Sequence, residues 1–85
     1  MAKKRTKLEI LEAVLNVVYQ NRKIKPTHLL YKANLSYVKM NEYLEFLISN
    51  GFILESGKEY EITEKGIKKL TELKKFKEFS ESFGI

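Results

Sequence analysis

The spacing of apolar residues near the start of the chain predicts a largely buried helix. Its apolar stripe recurs at intervals of three and four residues, the repeat of one helix face, and consists of Leu8, Leu11, Leu15 and Val18. Thr6 and Glu9 form a Thr-x-x-Glu capping box at its start. We therefore expect a first helix that begins after Thr6 and ends near Asn21, followed by a short strand-like residue at Ile24.

Two further helices are predicted in the middle of the chain. Pro26 suits the first turn of a helix, where its missing N–H is not needed. Ser36 is a good N-cap for a third helix, and Gly51 suits its end because glycine adopts the left-handed conformation. The apolar face of this third helix consists of Met40, Leu44 and Leu47. With the turn at Asn34 and Leu35, the two helices predict a helix-turn-helix.

A β-hairpin and a last helix are predicted after the third helix. Residues 52–56 and 58–62 flank Gly57, and the second run alternates polar with apolar positions as a half-buried strand does. Thr63 can cap the helix that follows. The predicted fold class is α+β, mostly α: a winged helix-turn-helix over residues 1–63, with a C-terminal dimerisation helix over residues 64–85 in the same structural unit.

The apolar residues of the last helix are spaced mostly three apart, namely Ile67, Leu70, Leu73, Phe76, Phe79 and Phe83. Each step of three moves the stripe about 60° around the helix. Ile67 and Leu70 are therefore expected to face the core, and the phenylalanines to point elsewhere. We expect Leu73, Phe76, Phe79 and Phe83 to contact the same helix of a second copy. The alternative is a bent helix, or phenylalanines that pack on the first helix.

The distribution of charge favours a polyanionic partner, although many soluble domains are equally basic. The net charge is +5, and residues 1–25 hold seven Lys and Arg against two Glu.

The chain has no cysteine and one histidine, which excludes disulfides, cysteine-ligated zinc and a thiol nucleophile. No apolar run is long enough for a membrane span. We expect a cytoplasmic, nucleoid-associated protein without a membrane partner.

Double-stranded DNA is the predicted partner, because the N-terminal part of a second helix of this kind enters the major groove. The expected contacts are Lys3, Lys4, Arg5, Lys25, Thr27, Lys32, Ser36, Tyr37, Val38, Lys39, Asn41, Glu42 and Lys58. Glu42 and Glu45 lie opposite the apolar stripe, and this helix has no arginine to read guanine. Binding is therefore expected to depend mainly on phosphates. The alternatives are a solvated helix face and a mobile N-terminus without DNA contacts.

The sequence predicts no active site. His28 is the only histidine and has no second histidine or cysteine to share a metal or a catalytic role. Glu42 and Glu45 lie on an open helix face, which offers no cleft for acid–base chemistry. We predict no catalytic residue, no metal, no cofactor and no small-molecule ligand.

Four stretches of the chain resemble archaeal winged-helix proteins of about this size, which are described as DNA-binding chromatin-type proteins or predicted transcriptional regulators. They are residues 2–10, 31–37, 43–51 and 60–66, and the Asn34-Leu35-Ser36-Tyr37 turn is the most specific. The resemblance implies dimerisation through an antiparallel coiled coil of the last helices, with the third helix and wing on DNA. We expect the last helix to depart from the family, as a short helix that ends in phenylalanines and does not continue as a long heptad pattern.

Three hypotheses follow from these observations. The first is a homodimeric DNA-binding protein, either a transcriptional regulator or an architectural chromatin protein. The second is a protein-interaction module, which Glu42 and Glu45 would suit. The third, an enzyme, is rejected for want of converging catalytic groups.

Overall fold

The computed structural model describes residues 5–82. Its elements are α1 (Lys7–Asn21), β1 (Lys23–Ile24), α2 (Pro26–Ala33), α3 (Tyr37–Ser49), β2 (Ile53–Ser56), β3 (Glu59–Ile62) and α4 (Glu64–Ser82). The strands form an antiparallel sheet in the order β1-β3-β2, with Glu55 opposite Tyr60 and Lys23 opposite Glu61. The predicted winged helix-turn-helix is therefore the observed fold, with a short β1 added to the edge of the wing.

The predicted helix boundaries are confirmed by their capping bonds. The Thr6 hydroxyl accepts from the Glu9 amide at 3.1 Å, and the Glu9 carboxylate accepts from the Thr6 amide at 2.9 Å. The Ser36 hydroxyl accepts from the Lys39 amide at 3.2 Å. These bonds satisfy amides at the helix starts, which have no partner within the helix.

The core lies between the helices and one face of the sheet. Its fully buried side chains come from α1, α2, α3 and β2, and the largest are Leu15, Leu29, Met40, Leu47, Ile53, Val14 and Val18. From α4, Leu70 is buried in the same cluster, and Leu73 packs against it. The first half of the last helix therefore belongs to the core of the domain.

Thr63 connects the start of α4 to the start of the wing. Its hydroxyl accepts from the Gly66 amide at 3.0 Å and donates to the Gly51 carbonyl at 2.6 Å, while its amide donates to the Phe52 carbonyl at 3.1 Å. Above this junction, the ammonium groups of Lys65 and Lys69 lie 5.1 and 5.7 Å from the centre of the Phe52 ring. The entry of α4 is therefore held by bonds to the two residues that immediately precede β2.

Two apolar residues are more exposed than their spacing predicts. Ile67 was expected to face the core but is 38% exposed, because the buried line of α4 runs through Gly66, Leu70 and Leu73 at intervals of four and three residues. Leu8 belongs to the apolar stripe of α1 but is 48% exposed. It lies in the first turn of α1, at the border of a groove with α4.

Candidate nucleic-acid interface

The N-terminal turn of α3 presents an open surface. Tyr37 and Val38 are 63% and 65% exposed, and Lys39 is exposed beside them. The opposite side of α3 is anchored in the core by Met40, Leu44 and Leu47. The start of a helix carries a partial positive charge and free amides, which suit an anion such as a phosphate.

Acidic side chains continue this surface along α3. Glu42 and Glu45 are exposed, as the helical spacing predicts. The Lys39 ammonium lies 3.9 Å from the Glu42 carboxylate, and both side chains are at least 60% exposed. A pair this open to water is weak, so Lys39 remains able to bind another anion. Asn41, a candidate for base reading, is only half exposed at the flank of the helix.

Arg5 holds the turn between α2 and α3. Its guanidinium donates to the carbonyl of Ala33 at 3.0 Å and to the carbonyl of Asn34 at 2.7 Å. Asn34 adopts the left-handed conformation (φ 56°, ψ 54°) at the end of α2. Because a cation is stabilised at the C-terminal end of a helix, Arg5 has a structural role that its place in a basic N-terminal run does not reveal.

The remaining candidate contacts lie on three separate elements. Lys25 is the N-cap of α2 and is exposed, as is Thr27 in the first turn of that helix. Lys32, in the last turn of α2, donates to the side-chain carbonyl of Asn21 at 2.8 Å. Lys58 is exposed in the two-residue turn at the tip of the wing, next to Gly57 with its φ of 62°. Lys3 and Lys4 lie outside the described residues.

The predicted DNA contacts did not include Glu55 and Tyr60, two polar residues of the wing that lie near Tyr37 at the start of α3. The Glu55 carboxylate on the facing strand and the Tyr37 phenol lie close enough to the Tyr60 hydroxyl to affect its titration. Partial burial, then the negative charge of Glu55, raise the pKa of Tyr60 above 10.0. A two-residue turn at positions 57 and 58 pairs residue 55 with residue 60, so the sequence did contain this signal.

The predicted dimerisation residues of α4 divide into two groups. Leu73 packs against the domain's own core, whereas Phe76 and Phe79 are 58% and 57% exposed. Phe76 also borders the groove beside α1, which bears on the alternative that the phenylalanines pack there. Phe83 lies outside the described residues.

Neither a metal site nor a membrane helix is found in the described part of the chain. Within residues 5–82, no three side chains of the types His, Asp and Glu are grouped so that they could hold a metal ion. None of the helices in this range is long and apolar enough to cross a membrane.

This arrangement of helices, sheet and exposed α3 defines a class of protein. The sequence matches the family described as winged helix-turn-helix over residues 4–81, and the chain belongs to that family. The prediction that it is not an enzyme agrees with this membership.

Individual proteins similar to this chain come from archaea and bacteria. An uncharacterized protein of Methanocaldococcus jannaschii, MJ0287, is 38% identical over 65 residues, which cover 76% of this chain and 66% of that protein, just under two thirds. The structure resembles Sso10a-2, a DNA-binding protein of Sulfolobus solfataricus, with a TM-score of 0.79 and 30% identity over 93% of this chain and 85% of that one. A MarR family transcriptional regulator of Silicibacter pomeroyi shares the fold, at TM-score 0.69 and 15% identity, over 86% of this chain and 55% of that one.

Proposed function

We propose that this chain is a homodimeric protein that binds double-stranded DNA through the helix over residues 36–50, the wing and the basic N-terminus. The observation that carries the proposal is the open N-terminal turn of α3, where Tyr37, Val38 and Lys39 are exposed next to free helix amides. The similarity to Sso10a-2, named as a DNA-binding protein, supports it. The protein would act in the cytoplasm, either as a regulator of transcription or as an architectural protein of the nucleoid. Both roles would use the N-terminal turn of α3.

Phosphate contacts are expected to supply most of the affinity. The carboxylates of Glu42 and Glu45 repel DNA phosphates along the middle of α3. The attraction to phosphates therefore comes from lysines, namely Lys25, Lys39, Lys58 and, in the N-terminus, Lys3 and Lys4. Each phosphate neutralised releases counterions, and affinity then falls steeply with salt.

The experiment is a salt titration of duplex binding, followed by fluorescence polarisation. Lys39→Ala and Lys58→Ala should each lower the affinity for all duplexes by a similar factor. Each should also reduce the slope of log affinity against log salt by about one. Lys68→Ala, which removes an exposed charge from α4, is the matched control and should leave the slope unchanged. Comparing random with selected duplexes then separates regulator from architectural protein, because a regulator has a large specificity ratio.

A protein-interaction module is the second candidate, and the exposed carboxylates of Glu42 and Glu45 favour it. If no duplex binds even at low salt, the DNA proposal is wrong and this candidate replaces it.

Dimerisation is expected to involve Leu73, Phe76, Phe79 and Phe83 of α4 and its continuation. The exposure of two phenylalanines on one helix supports this part of the proposal. Sedimentation equilibrium should show a dimer at micromolar concentration, and Phe76→Gln should dissociate it. A parent protein that is monomeric throughout the concentration series would rule out the dimer.

A further inference from the structure

A continuous groove follows the exposed side of α1. Its first part, about 410 Å³, lies between the start of α1 and the end of α4 and is bordered by Leu8, Leu73 and Phe76. A second part, about 280 Å³, shares Leu8 and Leu73 with the first and extends to Phe46 on α3. A third part, about 430 Å³, shares Phe46 with the second and lies between α1 and α3. We call the whole the α1 groove.

The α1 groove is bordered by large apolar side chains that the domain leaves half exposed. Leu8 is 48%, Phe46 51% and Phe76 58% exposed, and each comes from a different helix. Phe46 lies one position before Leu47 of the buried stripe, so it is directed to the edge of the core. Contiguous exposed apolar surface of this kind marks an interaction site.

The charges around the first part of the groove are mainly negative. Glu9, Glu12 and Glu81 border it, and Lys77 is the one cation among the residues that line it. Lys77 lies 4.0 Å from Glu12. By contrast, α4 carries two lysines beside Phe76, Lys74 and Lys75, that do not line the groove. This surface of α4 therefore complements the first part of the groove in charge, and the exposed phenylalanines of α4 complement the apolar side chains of the groove.

The exposed phenylalanines of α4 are too small an interface by themselves. A phenylalanine buries about 150–250 Å² in all, so burying the exposed parts of Phe76 and Phe79 in both copies removes roughly 500 Å² from water. A stable interface needs about 1,200 Å² or more. Leu8 and Phe46 line the same groove as Phe76 and are further exposed apolar surface that a second copy could cover.

We propose that α4 of a second copy of this chain lies in the α1 groove, so that Leu8 and Phe46 belong to the dimer interface together with Phe76. This inference rests on the proposed homodimer and adds the surface that receives the partner helix. Because Phe46 is on α3, the partner then supports the recognition helix from the side. Lys39 borders the third part of the groove, whereas Tyr37 and Val38 do not line it and stay open.

Three glutamine substitutions, studied by sedimentation equilibrium, test the proposal. Phe46→Gln and Leu8→Gln should each raise the dimer dissociation constant at least about tenfold, since each removes two apolar side chains from the symmetric interface. Leu54→Gln is the matched control, because Leu54 is 53% exposed on the outer face of the wing. Circular dichroism should show the same helix content for all three, as the replaced side chains are half exposed.

The failure of this inference differs from the failure of the dimer itself. If Phe76→Gln dissociates the dimer and both groove variants dimerise like the parent, α4 pairs without the groove and the inference is wrong. If the parent is a monomer, both proposals are wrong. If Phe46→Gln weakens DNA binding and leaves the dimer intact, the groove faces DNA and the inference is again wrong.

Discussion

Gly66 on α4 lies directly against the backbone carbonyl of Phe52 at the start of the wing. A Cβ atom built at position 66 would overlap the Phe52 carbonyl oxygen and lie 2.7 Å from Cγ1 of Ile62. The same residue donates its amide to the Thr63 hydroxyl. Close approach of α4 to the wing therefore depends on the absence of a side chain at this position.

Gly66→Ala should destabilise the protein by about 3 kcal/mol, because the backbone of Phe52 cannot move aside without disturbing the sheet. Gly57→Ala is the control: it has open space around it but a φ of 62°, so the cost is about 1 kcal/mol. Urea denaturation measures both. Equal losses for the two variants would show that α4 can shift away from the wing.

Arg5→Gln should lower the free energy of unfolding by about 1 kcal/mol, since it removes the charged donor from the carbonyls of Ala33 and Asn34. Lys7→Gln, two residues along and also exposed, should change it by less than about 0.5 kcal/mol. Thermal and urea unfolding without DNA give the comparison. If the Arg5 variant is as stable as the parent, Arg5 has no structural role at the turn between α2 and α3, and only a contact with the DNA phosphate backbone remains for it.

Asn16→Ala should raise the free energy of unfolding by about 1 kcal/mol. The side-chain oxygen of Asn16 is buried and has no hydrogen-bond partner among the described residues, and alanine is the better helix former. Asn21→Ala is the contrasting variant, because its amide group bonds to the Val17 carbonyl at 2.7 Å and to Lys32. Asn21→Ala should therefore lower the free energy of unfolding. If Asn16→Ala also lowers it, the packing of the Asn16 side chain contributes more to stability than its unpaired oxygen costs.

The stability provided by Tyr60 should decline in alkaline solution. Its pKa is raised by partial burial and by Glu55, so the folded protein holds the phenolic proton more tightly than the unfolded chain does. This contribution is complete below pH 10 and is lost as the pH rises toward the folded-state pKa. The stability difference between the parent and Tyr60→Phe, measured by urea denaturation at several pH values, should therefore shrink above pH 10. A constant difference would mean that Tyr60 titrates alike in both states.

Much of the fold was predictable from residues close together in sequence. Several boundaries of helices and strands are determined by features that span only three or four positions. They are the capping box of Thr6 and Glu9, the Ser36 cap, and the positive-φ glycines at 51 and 57. The pairing of Glu55 with Tyr60 follows from the same local rule, once the turn is assigned to residues 57 and 58. The exposed face of α3 could also be predicted, because it lies opposite the buried stripe of Met40, Leu44 and Leu47.

Contacts between residues far apart in sequence could not be predicted and are seen only in the folded protein. Arg5 reaches a turn 28 residues away, Gly66 replaces Ile67 on the buried line of α4, and Leu8, Phe46 and Phe76 meet along one groove. Local sequence is enough to specify which segments are helices and strands, because capping and turn energies are local. How those segments cross depends on the packing of all core side chains at once, and this packing assigns the half-buried residues to the core or to the surface.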